Sequence, residues 1–355
     1  LGRHLGPAAV TDRLRLATYN IEWFNNLFND AGDLLDDLHW SGRWGVTRRD
    51  QIAALGAVFT AMDADAIMVI EAPDTSRRRS TQRSLEGFAK RFDLRANRVL
   101  TGFLNDTQQE IALMYDPRKM DAAHAPLGSK DVPQFDGSFS VDLDHDGRPE
   151  PVRWSKPPLE VTLTPHGGQP ISLIGVHAKS KAPHGADNPA HRLRINIENR
   201  RKQLAQCVWL RARVDQLLQQ GQPVAVLGDF NDGPGLDEFE TLFGRSSVEV
   251  VLGEVGTVPM FDPNARLALS GRLAAQPASA RFEHDGVFLS VLLDYIMVSP
   301  DLAARAPRWT IWHPFDTPAC YTNDALRDAL LLASDHFPVT LDLPSPLASV
   351  GNGPT

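Results

Sequence analysis

Along the chain, short apolar runs repeatedly stop at a polar residue. The clearest case is VAVLGDFNDGPG, residues 224–235. Val224, Ala225, Val226 and Leu227 form a continuous apolar run, the pattern of a strand buried on both faces. Gly228 lets the backbone turn, Asp229 and Asn231 follow two residues apart, and Gly233, Pro234 and Gly235 impose a loop. Two readings of this stretch stand level. Either a rigid strand presents polar side chains to build a site, or an Asx-rich turn uses them to cap backbone groups.

The same pattern predicts further strands. Residues 15–20 (RLATYN) end in Asn20, with Glu22 just beyond, and residues 66–70 (AIMVI) deliver Glu71. Residues 171–176 (ISLIGV) deliver His177, and a strand over 291–298 (VLLDYIMV) contains Asp294. Asp335 and His336 stand just before the last strand, within residues 334–343. Strands are also predicted at 161–164 and at 111–115, the latter stopped by Asp116 and Pro117. Helical spacing marks 50–62, where Ile52, Leu55, Val58 and Phe59 share a face, then a basic-faced helix ending near Phe92 and a long helix over about 188–219. Irregular or weakly patterned segments occupy 25–47, 118–158, 236–290 and 307–330, the first reading as a lid or rim. Residues 1–13 read as a flexible arm and 344–355 as a disordered tail. The polar strand ends run from Asn20 to His336, so residues 14–343 are expected to form one domain, although length alone suggests about two.

Composition narrows the class. The 355 residues are 42% hydrophobic and 23% charged, a globular balance that excludes wholesale disorder. No apolar run reaches about 18 residues, so no membrane span is expected. The opening LGRHLGPAAV lacks the apolar core of an intact signal peptide; the expectation is a soluble protein, cytoplasmic or exported after losing such a peptide. Cys207 and Cys320 make neither a disulfide framework nor a zinc spacing, and Cys207 reads as a buried thiol. A net charge of −8 argues against a broad polyanion-binding surface. It leaves room for a phosphate substrate, because a bound divalent cation reverses the sign locally. Asp142, Asp144, Asp146 and Gly147 match the opening half of a calcium loop, but Arg153 stands where such a loop needs a bidentate Glu. A solvated acidic turn is the better reading there. No protein partner is implied.

Taken singly, each polar strand end has a structural explanation: a helix cap, a satisfied core histidine, or, for Asp294, a paired arginine. Repetition over six strands is harder to explain that way, because a sheet needs no such rim for stability. The set offers carboxylate and carboxamide oxygens and two histidines without thiolates, which suits Mg²⁺ or Mn²⁺ better than zinc. Such a cation, held by one or two carboxylates and leaving room for phosphate oxygens and water, serves phosphoryl chemistry.

The stretches TYNIEW, IMVIEAPD, IALMYDP, GVHAKSK, VLGDFND, LDYIMVS and SDHFPV occur in this order across residues 15–343. With them the chain resembles the endonuclease/exonuclease/phosphatase superfamily, the DNase I-like fold. The resemblance implies a four-layer α/β sandwich, with two mixed β-sheets packed face to face and the active site at one end. It implies Asn20, Glu71 and Asp335 as metal-site residues, with Glu22 where several members place Asp. It makes Asp229 the residue that orients or deprotonates the attacking water and Asn231 its companion on a non-bridging oxygen. His177 takes the place of the phosphate-binding or leaving-group histidine. His336 takes that of the second histidine, its ring held by Asp294. Lys179 and Lys181 are expected as phosphate contacts, with Arg200 as an added guanidinium. The HAKSK string looks like the HLKSK of some bacterial nuclease-like members and favours a phosphodiester. The expectation is a metal-dependent phosphodiesterase acting on nucleic acid or a smaller diester. The alternatives are a phosphomonoesterase, a lipid-headgroup hydrolase of sphingomyelinase or inositol-phosphate type, or a non-catalytic binding module on the same fold. Trp40, Trp44, Trp309 and Trp312 fit either contact with bases or apolar groups, or core packing.

Overall fold

The computed structural model describes residues 13–344 except 108, 144–146, 183, 184, 186, 235–242, 254, 271–275 and 285. Within these, fifteen strands follow in chain order. They are β1 (Arg13–Asn20), β2 (Ala66–Pro73), β3 (Arg98–Thr101), β4 (Gln109–Tyr115), β5 (Met120–His124), β6 (Phe139–Val141), β7 (Glu150–Val152) and β8 (Leu159–Pro165). There follow β9 (Ile171–His177), β10 (Val224–Asp229), β11 (Ala280–His284), β12 (Val287–Val291), β13 (Asp294–Val298), β14 (Arg308–Ile311) and β15 (Val339–Pro344). The helices used below are α1 (Arg48–Met62), α2 (Thr81–Arg91), α3 (Pro189–Gln219), α4 (Ser247–Leu252), α5 (Pro263–Leu269) and α6 (Asp324–Ala333). Among the described residues no helix is long and apolar enough to cross a membrane. Arg13 and Pro344 belong to strands, one residue inside the segments expected as arm and tail; the rest of those segments lies outside the described residues.

Two mixed sheets form the centre. The first has the order β14-β15-β1-β2-β4-β3, with β1 and β2 parallel; the second runs β13-β10-β9-β8-β5, with β9 and β10 parallel. Alternation along the strands sets the layers. Leu16, Met68 and Leu113 of the first sheet meet Leu173, Ala225 and Ile296 of the second in one buried cluster between the sheets. The other faces carry Ile67 and Val69 against Phe59 and Phe88 of α1 and α2, and Val224 and Val226 against Leu210 and Val248 of α3 and α4. This is the expected four-layer α/β sandwich. Gly175 lets the sheets approach: a Cβ there would meet Met68 Sδ at 2.4 Å.

Three strand readings are corrected. The run 291–298 is two strands, because β12 pairs with β11 in a separate hairpin while β13 pairs with β10. β2 does not stop before Glu71 but continues to Pro73 through a bulge between Ile70 and Ala72. Segment 307–330 is less irregular than its sequence suggests, since β14 extends the first sheet beside β15.

Candidate active site

The register of β10 with its two neighbours, β9 parallel and β13 antiparallel, sets the geometry. Asp229, the last residue of β10, is in register with His177 at the end of β9 and with Asp294 at the start of β13. Three polar side chains therefore stand in one row. Gly228 makes the row possible: its φ is +143°, and a Cβ would lie 2.0 Å from the Val176 carbonyl oxygen. In the facing sheet, β1 ends at Asn20 and the β2 bulge holds Glu71 at φ 61°. Left-handed backbone costs a residue with a Cβ about 1–2 kcal/mol, so neighbours must hold this conformation. Both sheets open into one cleft of about 510 Å³, lined by Asn20, Glu22, Glu71, His177, Lys179, Asp229, Asn231, Asp335 and His336.

Asp229 is buried, and its Oδ2 accepts from Asn20 Nδ2 at 2.9 Å and Asn231 Nδ2 at 3.0 Å. Its Oδ1 accepts from the Asn231 backbone at 2.7 Å. Burial pushes its carboxyl up to about 7, against the pull of His336. On its other side, His336 Nδ1 donates to Asp294 Oδ2 at 2.8 Å. Ser279 holds that carboxylate, donating to the same oxygen at 2.7 Å while accepting from the Asp294 backbone. Burial opposes the charge on His336, but Asp294, Asp229 and Asp335 together hold the imidazole well above its ordinary range. His177 is the opposite case: burial and Lys156 keep it well below that range.

Three further groups complete the cleft. Lys156 Nζ lies 3.1 Å from His177 Nδ1 and donates to Gln109 Oε1, whose amide donates to Glu71 Oε2. Burial raises Glu71, and pushes Glu22 up to about 7 despite its ion pair with Arg43. Arg43 comes from segment 25–47, which thus reaches the site through its ion pair with Glu22. Ser334 ties the end of β1 to the segment before β15, donating to the Asn20 carbonyl and accepting from the Glu22 and His336 amides.

Oxygen donors converge at the Asn20–Glu71 end. Asn20 gives its amide hydrogens to Asp229, and its buried Oδ1 has no hydrogen-bond partner among the described residues. Beside the partly buried Glu71 and Asp335, this donor set fits a hard divalent cation. Asp229, Asp294 and His336 also bring ligand-capable atoms within 4.8 Å of one another. His336 Nδ1 is already bonded to Asp294 Oδ2, so this trio is better described as an imidazole held by one carboxylate beside a second, with Asp294 and Asp229 both favouring its charged form.

The structure separates the basic residues. Lys179 lines the cleft, but Lys181 Nζ donates to Asp232 at 2.9 Å and Arg200 is fully buried, bonded to Asp232, Gln203 and the Arg245 carbonyl. Arg200 is thus part of the scaffold behind the site, because the fully buried Asp232 requires a cation. Of the tryptophans, Trp309 and Trp312 are partly buried and hydrogen-bonded, while Trp40 and Trp44 are exposed. At the acidic turn Asp142 accepts from Gly147 and Glu150 pairs with Arg201; Asp144 and Asp146 lie outside the described residues.

Two stacked mixed sheets with an acid- and imidazole-lined cleft at one end define an α/β sandwich of the DNase I-like type. The chain belongs to the Endonuclease/Exonuclease/phosphatase family, whose model matches residues 17–336. It is similar in structure to TDP2 from Caenorhabditis elegans, at 13% identity over 94% of this chain and 76% of that one, with a TM-score of 0.50. An AP endonuclease from Archaeoglobus fulgidus matches at 12% identity over 93% and 99% of the two chains, with a TM-score of 0.49. A mannosyl-6-phosphatase from Bacteroides thetaiotaomicron matches at 14% identity over 93% and 99%, with a TM-score of 0.47. No curated protein sequence matches significantly.

Proposed function

We propose that the protein is a Mg²⁺- or Mn²⁺-dependent phosphoesterase that hydrolyses phosphodiester bonds, with residues 14–343 acting as one catalytic domain. The observation that carries this reading is that Asp229 shares one cleft with Asn20, Glu71 and His336, whose ring is held by Asp294. Asn20, Glu71 and Asp335 would hold the cation, which when bound supplies charge neutralisation to the phosphate. Asp229, fixed by two carboxamides, orients the attacking water and receives its proton. Its raised pKa makes it a better base near neutral pH than an exposed aspartate. The His336 imidazolium, held by Asp294, faces the developing negative charge, and Asn231 and Lys179 border the non-bridging oxygens.

The test is hydrolysis of bis-p-nitrophenyl phosphate with Mg²⁺ or Mn²⁺, repeated with EDTA. Turnover is expected to vanish with chelation and in Asp229→Ala and His336→Ala. Undiminished turnover in both variants would refute the assignment. Faster hydrolysis of p-nitrophenyl phosphate than of the diester would move the reading to a phosphomonoesterase.

A further inference from the structure

The two histidines of the cleft are held by opposite chemistry. His336 turns Nδ1 to a carboxylate at 2.8 Å, whereas His177 turns Nδ1 to the ammonium of Lys156 at 3.1 Å. An ammonium has three donors and no acceptor, so His177 Nδ1 must be the acceptor in that bond. A neutral ring that accepts at Nδ1 carries its proton on Nε2. That nitrogen points into the cleft, 3.7 Å from Asp229 Oδ2 and 3.8 Å from Glu71 Oε1.

Lys156 is itself held in place. Gln109 accepts from its Nζ and donates through the other end of its amide to Glu71. This fixes the direction of the amide and gives a chain with one polarity: Lys156 donates both ways, and Gln109 passes the contact to Glu71. Neither Lys156 nor Gln109 ends an apolar strand as the other site residues do. Ser155 and Lys156 lie between β7 and β8, with Ser155 accepting from Lys202 of α3 at 3.3 Å.

We propose that Lys156 is a positioning residue that fixes His177 as a neutral ring with its proton on Nε2, a hydrogen-bond donor aimed at a phosphate oxygen in the cleft. The phosphate rests on the function proposed above; the ring's proton position does not. The fixed tautomer matters because the other one would present a lone pair where a negatively charged oxygen must sit.

The experiment reads the ring directly. The full chain is labelled with ¹⁵N-histidine, and long-range ¹H–¹⁵N spectra are recorded with Mg²⁺ and with EDTA. His177 is assigned by the signals lost in His177→Gln. The expected pattern is a protonated Nε2 and an unprotonated Nδ1 in the wild type and in Lys156→Arg, with the two nitrogens moving towards averaged shifts in Lys156→Met. Gln109→Leu, which frees the ammonium without removing it, should blur the pattern in the same direction and serves if Lys156→Met does not fold. On bis-p-nitrophenyl phosphate, Lys156→Met should lower kcat about tenfold, the worth of one hydrogen bond. It should cost nothing more in the His177→Gln background. An unchanged ring pattern in Lys156→Met overturns the proposal. So does an equal loss in both backgrounds, which would place Lys156 on the substrate itself. If no phosphoester is turned over, the proposed function fails while the spectra still decide the role of Lys156.

Discussion

Replacing Asp294 by Asn isolates the charge that holds His336. Asn keeps the side-chain shape and one oxygen at the point where Ser279 and His336 both donate, so what is lost is the negative charge on the 2.8 Å contact to His336 Nδ1, which joins two side chains only 10% and 1% exposed. A buried hydrogen bond to a charged group is worth about 1.5–3 kcal/mol. If the imidazolium acts on the transition state, that sum converts to a loss of roughly 10- to 150-fold in kcat/KM, at about 1.36 kcal/mol per decade. The assay is kcat/KM on bis-p-nitrophenyl phosphate, with urea unfolding to confirm that each variant is folded. Because Asp294 is argued to act through His336, Asp294→Asn should cost little once His336 is Ala. Wild-type activity in Asp294→Asn, or an undiminished effect in the His336→Ala background, would refute the reasoning.

Three other outcomes follow from particular contacts. Arg200→Met should destabilise the protein by about 3 kcal/mol by stripping the buried Asp232 of one of its two cations, with KM unchanged; a raised KM at wild-type stability would restore Arg200 to the substrate. Gly228→Ala should cost upwards of about 3 kcal/mol or prevent folding, since the added Cβ meets backbone and not a movable side chain; near-native thermal stability would contradict the packing described. Because burial raises Glu71 and lifts Asp229 to about 7, the cation-free cleft holds protons below that pH, and cation binding must expel them. Mg²⁺ affinity should therefore rise from pH 6 towards 8 and level off, with calorimetry in buffers of different ionisation enthalpy detecting proton release at pH 6. A pH-independent affinity would count against these carboxyls.

Much of the site was legible because a strand's period and its end are local properties. Asn20, Glu71, His177 and Asp229 each follow an apolar run, and the structure brings all four to one cleft. What was not legible depends on which strands become neighbours. The run 291–298 hides a break because Val291 closes β12 in a separate hairpin while 294–298 joins the second sheet as β13, and nothing in its composition marks the change of partner. Arg200 and Lys181 looked available for substrate because only the fold shows that Asp232, the last acid of GDFND, turns inward and takes them both. Lys156 follows Trp154 in a turn-rich segment with no periodic signal, and Gln109 lies two residues before the strand expected at Ile111.

The two ends of the first sheet argue for a cation at only one of them. At the far end, the buried Asp65 and Asp116 are met directly by guanidinium or ammonium groups: Arg95 bonds both, Lys119 reaches Asp65 and Arg118 reaches Asp116. Those carboxylates need nothing further, and that end is a strut. At the cleft end, Glu71 is given the neutral amide of Gln109, with Lys156 only beyond it, and the buried Asn20 Oδ1 has no partner among the described residues. Burying carboxylate charge without a matching cation is unfavourable by several kcal/mol, and the backbone at Glu71 is held left-handed as well. Both ends are built from strands of the same sheet, and the one arginine described at the cleft end, Arg43, is paired with Glu22 and not with Glu71. The difference is therefore a property of the site, and positive charge brought from solution is what would balance it. Substituting Asn20 by Leu should accordingly weaken Mg²⁺ binding while leaving the fold intact, whereas Arg95→Leu should lower stability without changing Mg²⁺ affinity.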